Sequence, residues 1–283
     1  MAQGLSMSRR LPNFLYLGPD KSGSSWLFEA LRQHPDCFVP ACKDVYYFDQ
    51  HYAKGMDWYA SFFSGAPAGA IAVGELSHGY LFSAEAAERI KRDLPDVRLL
   101  TSLRHPVERC YSHYLYLVSS GLVKTSFAET IATRPGLTRS SYYAKPLGEY
   151  MQRFGREQLK VLFFDDLQRD PRAYAAQVYD FLGLSFNEAF EYEKKVRPAR
   201  QPRSFWLARL AKQGALSARK LGLVRAVGAV KHSFVARMLY QPYKKEQIPT
   251  MDAAVRAQLI QRYTPDVLEL QDLLKVDLAH WMV

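Results

Sequence analysis

Residues 13–17 read NFLYL and the next ten read GPDKSGSSWL. The short apolar run, bounded by Gly18-Pro19, predicts a buried strand. SWLFEALRQ (25–33) predicts a helix that His34-Pro35 ends. A strand entering a helix through a Gly/Ser-rich turn places a helix N-terminus beside the end of a sheet. Backbone N–H groups and the helix dipole attract an anion there. This junction points the chain toward an α/β fold. Gly23 permits positive φ or a close backbone approach. Lys21 adds a formal charge, and Ser22, Ser24 and Ser25 add hydroxyl donors. Taken alone, the segment also reads as an ordinary βα loop with a serine cap.

The rest of the chain repeats the alternation. IAVGE (71–75), VRLLTSL (97–103) and QLKVLFF (158–164) predict strands. Helices are expected over 83–93, with Ser83 as N-cap and Leu94-Pro95 as stop, and over roughly 106–120, 141–154 and 171–182. The pattern predicts a mostly parallel central sheet flanked by helices on both faces. Ligands of such sheets bind beyond the carboxyl ends of the strands. If the strands run parallel, the loop at 18–25, the loop at 76–79 and the turn at Arg104 cluster at one edge.

The chain has 283 residues and is 48% apolar and 13% aromatic, enough for a sizeable core and suited to a single domain over 1–283. Residues 1–12 read as a loose tail. The net charge of +10 is local: residues 194–245 hold 14 Lys or Arg and no Asp or Glu, while the remainder has 24 basic against 28 acidic residues. Acidic partners are plausible, but no nucleic-acid module accompanies the charge. Cys37, Cys42 and Cys110 form neither a disulfide framework nor a zinc pattern. No signal sequence or apolar run of about 18 residues is evident. A soluble, cytoplasmic protein is the expectation.

The loop lacks the G-x-x-x-x-G-K-[ST] order of a magnesium nucleotide site, so a metal-free anion site is expected. GPDKSGSSWL resembles the 5′-phosphosulfate loop of sulfotransferases that use 3′-phosphoadenosine 5′-phosphosulfate (PAPS), roughly P-x-K-[ST]-G-[ST]-[ST]-x-L. LRHPVERCYSHY (103–114) resembles their 3′-phosphate site, where an Arg ends a strand and a Ser follows eight residues on, as Arg104 and Ser112 do here. KDVYYFDQHYAKGMDWYASFF (43–63) is similar to the K-E-x-x-F-F…G-x-x-W-Y-x-x-F-F stretch of heparan sulfate N- and O-sulfotransferases. Residues 158–184 and 251–281 resemble their late strand and C-terminal helices. The likeness covers about 13–193 and 246–281. It implies a P-loop-like sulfotransferase fold, PAPS as co-substrate and adenosine 3′,5′-bisphosphate as product. The implied nucleotide-binding set is Lys21, Ser22, Gly23, Ser24, Ser25, Trp26, Arg104 and Ser112. Pro202-Arg203-Ser204 loosely fits a P-R-S stretch of bacterial members and adds Arg203. Lys21 would also assist the leaving group. Where the heparan N-sulfotransferase version has Gln, this chain has Asp20, expected to point its side chain away from the anion.

Two residues compete to take the acceptor's proton. His78, in GELSHGYLF, matches the His of the K-T-H segment of cytosolic sulfotransferases, although the Lys is replaced by Leu76. An imidazole accepts protons near neutral pH. Asp44 stands where heparan enzymes carry a catalytic Glu, one methylene shorter, and could instead orient His78. Glu75 precedes the missing lysine. A structural histidine at a strand end is the plain alternative for His78. His105 is expected to shape the turn before Pro106, and His113 to pack on its helix. The basic segment, especially 205–240, reads as a solvated lid helix, an acceptor lid or a membrane-surface contact. The whole pattern implies a bacterial PAPS-dependent enzyme that sulfates a hydroxyl, less readily an amine, of a small-molecule, lipid or saccharide acceptor. A P-loop kinase and a nonenzymatic basic binding module are the alternatives.

Overall fold

The structure is a computed structural model that describes residues 10–194, 200–202, 205–220, 240–242 and 250–283. Five strands form one sheet: β1 (Phe14–Tyr16), β2 (Cys37–Phe38), β3 (Ala72–Leu76), β4 (Arg98–Leu103) and β5 (Leu159–Phe163). Their order is β2-β3-β1-β4-β5, and every pair is parallel. The central strand β1 aligns Leu15 with Glu75 of β3 and with Leu99 of β4. The four predicted strands are all present, within a residue or so of the expected ends. β2 was not predicted; two residues carry no periodicity.

Both faces of the sheet are covered, which explains why its strands read as continuous apolar runs. Leu15, Val73 and Leu99 face helices α3 (Ala84–Asp93), α7 (Ala144–Phe154) and α11 (Ala253–Leu274), through Ile90, Leu147, Tyr150, Val267 and Leu270. Phe14, Tyr16 and Leu100 face α1 (Ser24–Arg32) and α9 (Pro171–Leu182), through Leu27, Leu31, Tyr174 and Val178. A third cluster joins α4 (Pro106–Ser119) to α11, with Val107, Cys110 and Tyr114 against Leu259 and Tyr263. The long helix α11 is tied to the start of α7: the Asp266 carboxylate accepts from the N–H groups of Tyr143 (2.7 Å) and Ala144 (3.2 Å).

Helix starts follow local chemistry. The Ser83 side chain accepts from Ala86 N, as expected of an N-cap. His105 Nδ1 accepts from Val107 N ahead of Pro106, and burial pushes this imidazole down to about 4, in keeping with a neutral acceptor. The turn-shaping role expected of His105 is what the geometry shows. Residues 10–12 were expected to belong to a loose tail, and residues 1–9 of that tail lie outside the described residues. Arg10 donates to the carbonyls of Ala68 (3.0 Å) and Ala70 (2.7 Å), and Leu11 packs on the core, so the chain is anchored from residue 10. Within the basic segment, β6 (Arg200–Pro202) pairs antiparallel with β7 (Tyr240–Pro242), and α10 spans Phe205–Lys220. Among the described residues no helix is long and apolar enough to cross a membrane.

The centre of the sheet tolerates no added bulk. A Cβ at Gly74 of β3 would lie 2.4 Å from the Phe14 carbonyl oxygen and 2.5 Å from its ring. Overpacking of this kind costs about 1–3 kcal/mol. Gly74→Ala should lower the urea midpoint accordingly, with an unchanged slope.

Candidate active site

The three strand-end segments meet. Thr101 Oγ1 of β4 donates to the Gly18 carbonyl (2.6 Å), holding the start of the loop against its neighbour. Gly18 has φ +115°, and a Cβ there would stand 2.5 Å from the His78 carbonyl oxygen, so the 76–79 segment lies directly against the loop. Arg104 Nη1 donates to the Lys21 carbonyl (3.1 Å) from the other side. The order β3-β1-β4 puts His78 on one flank of the loop and Arg104 on the other.

Gly23, at φ +88°, opens α1 without a side-chain cap. Its conformation is one that only glycine adopts readily, and a Cβ would come within 2.7 Å of Leu167. Ser24 and Ser25 then occupy the first turn, where the dipole favours an anion. Ser22 is buried, and its hydroxyl has no hydrogen-bond partner among the described residues. Trp26, counted with the nucleotide-binding residues, has its side chain in the core. The indole donates to the Tyr192 carbonyl (3.1 Å) and packs edge-on against Tyr174 and Phe190. The apolar surface beneath α1 demands this packing. Only its backbone remains beside the loop.

Asp20 does point its carboxylate away from the first turn of α1, and α4 receives it. Oδ1 lies 2.9 Å from Arg109 Nη1, and Oδ2 lies 3.1 Å from His113 Nδ1. Arg109 is fully buried; its Nε donates to Ser141 Oγ (2.7 Å) and its Nη2 to the Leu137 carbonyl. Burial alone would raise the Asp20 carboxyl, but the charges of its partners hold it below the usual carboxylate value. Burial pushes His113 down to about 4, so Arg109 is the partner that stays charged near neutral pH. Arg109, Ser112, His113 and Tyr116 follow helical spacing along one face of α4. Lys21 Nζ stands 5.1 Å above the Tyr116 ring. Ser112 thus shares the face that meets the loop. Burial also lowers the basicity of Arg104, whose guanidinium lies 4.6 Å over Phe164.

The two candidate bases touch each other. His78 Nδ1 is 2.7 Å from Asp44 Oδ1, an arrangement that assigns the proton to Nδ1 and leaves Nε2 as acceptor. The Tyr46 hydroxyl is 2.7 Å from Nε2 and 3.1 Å from Nδ1. The side chain of His78 is 37% exposed and that of Asp44 10%, so the imidazole is the more accessible of the pair. Asp44 (φ +66°) and Tyr46 (φ +55°) both adopt left-handed backbone, a strained conformation common at functional sites. Below them lies Glu75, fully buried, which accepts from Ser77 Oγ and Tyr80 OH (both 2.6 Å) and Tyr59 OH (3.3 Å). Burial pushes the Glu75 carboxyl up to about 7 despite those hydrogen bonds, and pushes Asp49 up to about 6.

Several site neighbours were not singled out from the sequence. Lys43 Nζ lies 2.9 Å from Ser24 Oγ and 3.5 Å from Ser25 Oγ. Tyr46, Asp49 and Arg109 are others. Lys43 and Tyr46 sit in the K-D-x-x-x-F stretch (43–48), Asp49 directly follows it and Arg109 lies in LRHPVERCYSHY, so the available signal was membership of, or adjacency to, those motifs. Arg203 lies outside the described residues.

The Asp20–Arg109 pair makes a sharp prediction. Asp20→Asn leaves a buried guanidinium uncompensated, at a cost of about 3 kcal/mol. A depressed carboxyl contributes its stability above its unfolded pKa of about 3.9 and loses it as pH falls through the folded value. The stability gap between wild type and Asp20→Asn, read by urea unfolding, should therefore be full at pH 7 and shrink below about pH 4.

With this geometry in hand, comparison with known proteins is informative. The sulfotransferase domain family matches residues 11–209. Human heparan sulfate glucosamine 3-O-sulfotransferase 6 is 32% identical over 185 residues, covering 62% of this chain and 53% of its own length. Human bifunctional heparan sulfate N-deacetylase/N-sulfotransferase 3 is 29% identical over 210 residues, covering 65% of this chain and 24% of its own. The chain spans about half the length, or less, of these curated relatives. Among solved structures, a sulfotransferase from Alicyclobacillus acidocaldarius superposes over 97% of this chain and 100% of that one, with a TM-score of 0.71 and 25% identity. The matched region takes in the whole parallel sheet, the anion loop and both strand-end flanks: this chain belongs to the PAPS-dependent sulfotransferase family.

Proposed function

We propose that the chain transfers a sulfuryl group from PAPS to a hydroxyl of a small-molecule, lipid or saccharide acceptor. The observation that carries this reading is the flanking of one anion loop by a base pair on the β3 side and by Arg104 on the β4 side. The residues present fit the nucleotide. Lys21, Ser24, Ser25 and the uncapped start of α1 form a donor set for a 5′-phosphosulfate, and the buried Ser22 hydroxyl is a donor with no partner among the described residues. Arg104 and Ser112 would hold the 3′-phosphate, a guanidinium fork and a hydroxyl suited to phosphate oxygens. Heparan sulfate names the acceptor of two relatives and supports a saccharide here.

PAPS supplies the activated group: the acceptor oxygen bonds to sulfur as the sulfur–bridging-oxygen bond breaks and adenosine 3′,5′-bisphosphate leaves. His78 Nε2 takes the acceptor's proton. Asp44 fixes the tautomer and stabilises the imidazolium that results. Exposure and contact support this division of roles: the imidazole is the more exposed of the pair and can meet an acceptor, while Asp44 is the more buried. Tyr46 occupies Nε2 in this structure and must yield that position to the acceptor or relay its proton. Lys21 neutralises charge on the leaving phosphate. Within 205–240, α10 exposes Trp206 and Leu210 beside Arg209, which supports a lid or membrane-surface role for that segment.

Labelled sulfate transfer from PAPS to a panel of saccharides, phenols and alcohols tests the activity. Adenosine 3′,5′-bisphosphate should raise the melting temperature. Stabilisation by ATP–magnesium instead would favour a kinase, and binding to anionic vesicles alone would favour a basic docking module. At saturating PAPS, His78→Ala should lower kcat by about 10²–10⁴-fold, and near-normal turnover would move the base to Asp44. Arg104→Ala should mainly weaken nucleotide binding, measured calorimetrically.

A further inference from the structure

The lysine position next to Glu75 in cytosolic and heparan sulfotransferases is Leu76 here, and its side chain is buried in the core beneath α1. Strand β3 therefore delivers no cation from that residue. The turn beside it does. Asp44 N donates to the Leu76 carbonyl (2.9 Å), and Tyr46 N donates to Ser77 Oγ (3.0 Å), which itself donates to Glu75. These bonds pin a turn whose left-handed Asp44 splits two consecutive residues between two tasks. Asp44 reaches His78, while Lys43 reaches the first turn of α1.

The direction of the Lys43 contact is informative. An ammonium only donates, so Ser24 Oγ is its acceptor at 2.9 Å, and the Ser24 hydroxyl hydrogen is left to point at something else. At an uncapped helix start, an anion oxygen is the natural recipient. Lys43 thus adds positive charge to the loop and orients a donor within it. Lys21, the lysine of the loop itself, holds its Nζ over Tyr116 on α4.

We propose that Lys43 is a second donor-side catalytic residue, whose ammonium contacts the phosphosulfate of PAPS in place of a cation from position 76. As the sulfur–oxygen bond breaks, negative charge collects on the bridging oxygen and is shared with the sulfuryl oxygens. Lys43 stabilises that charge, and the electron pair leaves with the bisphosphate. No proton passes through Lys43. The assignment rests on the PAPS reading above.

The test compares wild type with Lys43→Met, Lys43→Gln and Lys43→Arg in two measurements. Calorimetry gives affinities for PAPS, without acceptor, and for adenosine 3′,5′-bisphosphate. Labelled transfer gives kcat. A contact with the sulfonated end predicts that Lys43→Met and Lys43→Gln lose about 10²-fold in kcat. It also predicts that they weaken PAPS about tenfold more than the bisphosphate, with Lys43→Arg recovering part of both. Equal weakening of the two ligands, or unchanged turnover, would overturn the proposal while leaving the sulfotransferase reading intact. Should wild type itself neither bind the bisphosphate nor transfer sulfate, the underlying reading fails and this assignment fails with it.

Discussion

The buried ion pair between Asp20 and Arg109 sets the geometry on which the rest of the site depends. Arg109 has no exposed surface, and its other guanidinium contacts go to Ser141 and Leu137. Asp20 therefore cannot drift without stranding a charge in the interior. This pins the anion loop of β1 to α4, the helix that carries Ser112 and begins just beyond Arg104. The two proposed phosphate anchors are thus joined through protein as well as through the nucleotide they would share. An acidic residue within an anion loop looks unfavourable in sequence; its charge is spent on α4, and the helix start remains positive.

A second constraint works on the opposite flank. Two non-glycine residues, Asp44 and Tyr46, hold left-handed backbone, and the turn is sustained by hydrogen bonds that their N–H groups donate to the Leu76 carbonyl and to Ser77 Oγ, which itself donates to Glu75. Strain of this kind persists only where its surroundings over-determine it. Here the over-determination comes from the end of β3 and the segment just beyond it, which also carries His78. One strand end therefore positions both the imidazole and the carboxylate that orients it.

The sheet was largely legible in the sequence because its strands are buried on both faces. NFLYL, IAVGE, VRLLTSL and QLKVLFF stand out as apolar runs between Gly, Pro and charged turns. Helices with sharp ends were legible too, through Ser83, Leu94-Pro95 and Pro106. β2 escaped because two residues carry no pattern. The irregular turn of residues 47–51, a single π-helical turn, escaped because no propensity encodes it. The direction of the Trp26 ring was not legible, because a motif position says which residue follows the loop, not which way its side chain turns; the core below α1 takes the indole.

The local junction of strand, glycine-serine turn and helix is inscribed in GPDKSGSSWL itself, since glycine, lysine and serine act on backbone and anion over a few residues. The alternation of strand and helix follows from hydrophobic spacing, which makes a parallel sheet the expectation; the pairing itself, and with it the shared edge of the three strand-end segments, is seen in the structure. Who partners whom was decided only in three dimensions. That Asp20 meets Arg109, that Lys43 meets Ser24 and that Asp44 and His78 share a hydrogen bond are contacts between segments 19 to 89 residues apart. Side-chain direction in such pairs is set by packing and desolvation, which act on the folded whole and leave no mark on neighbouring residues in the chain.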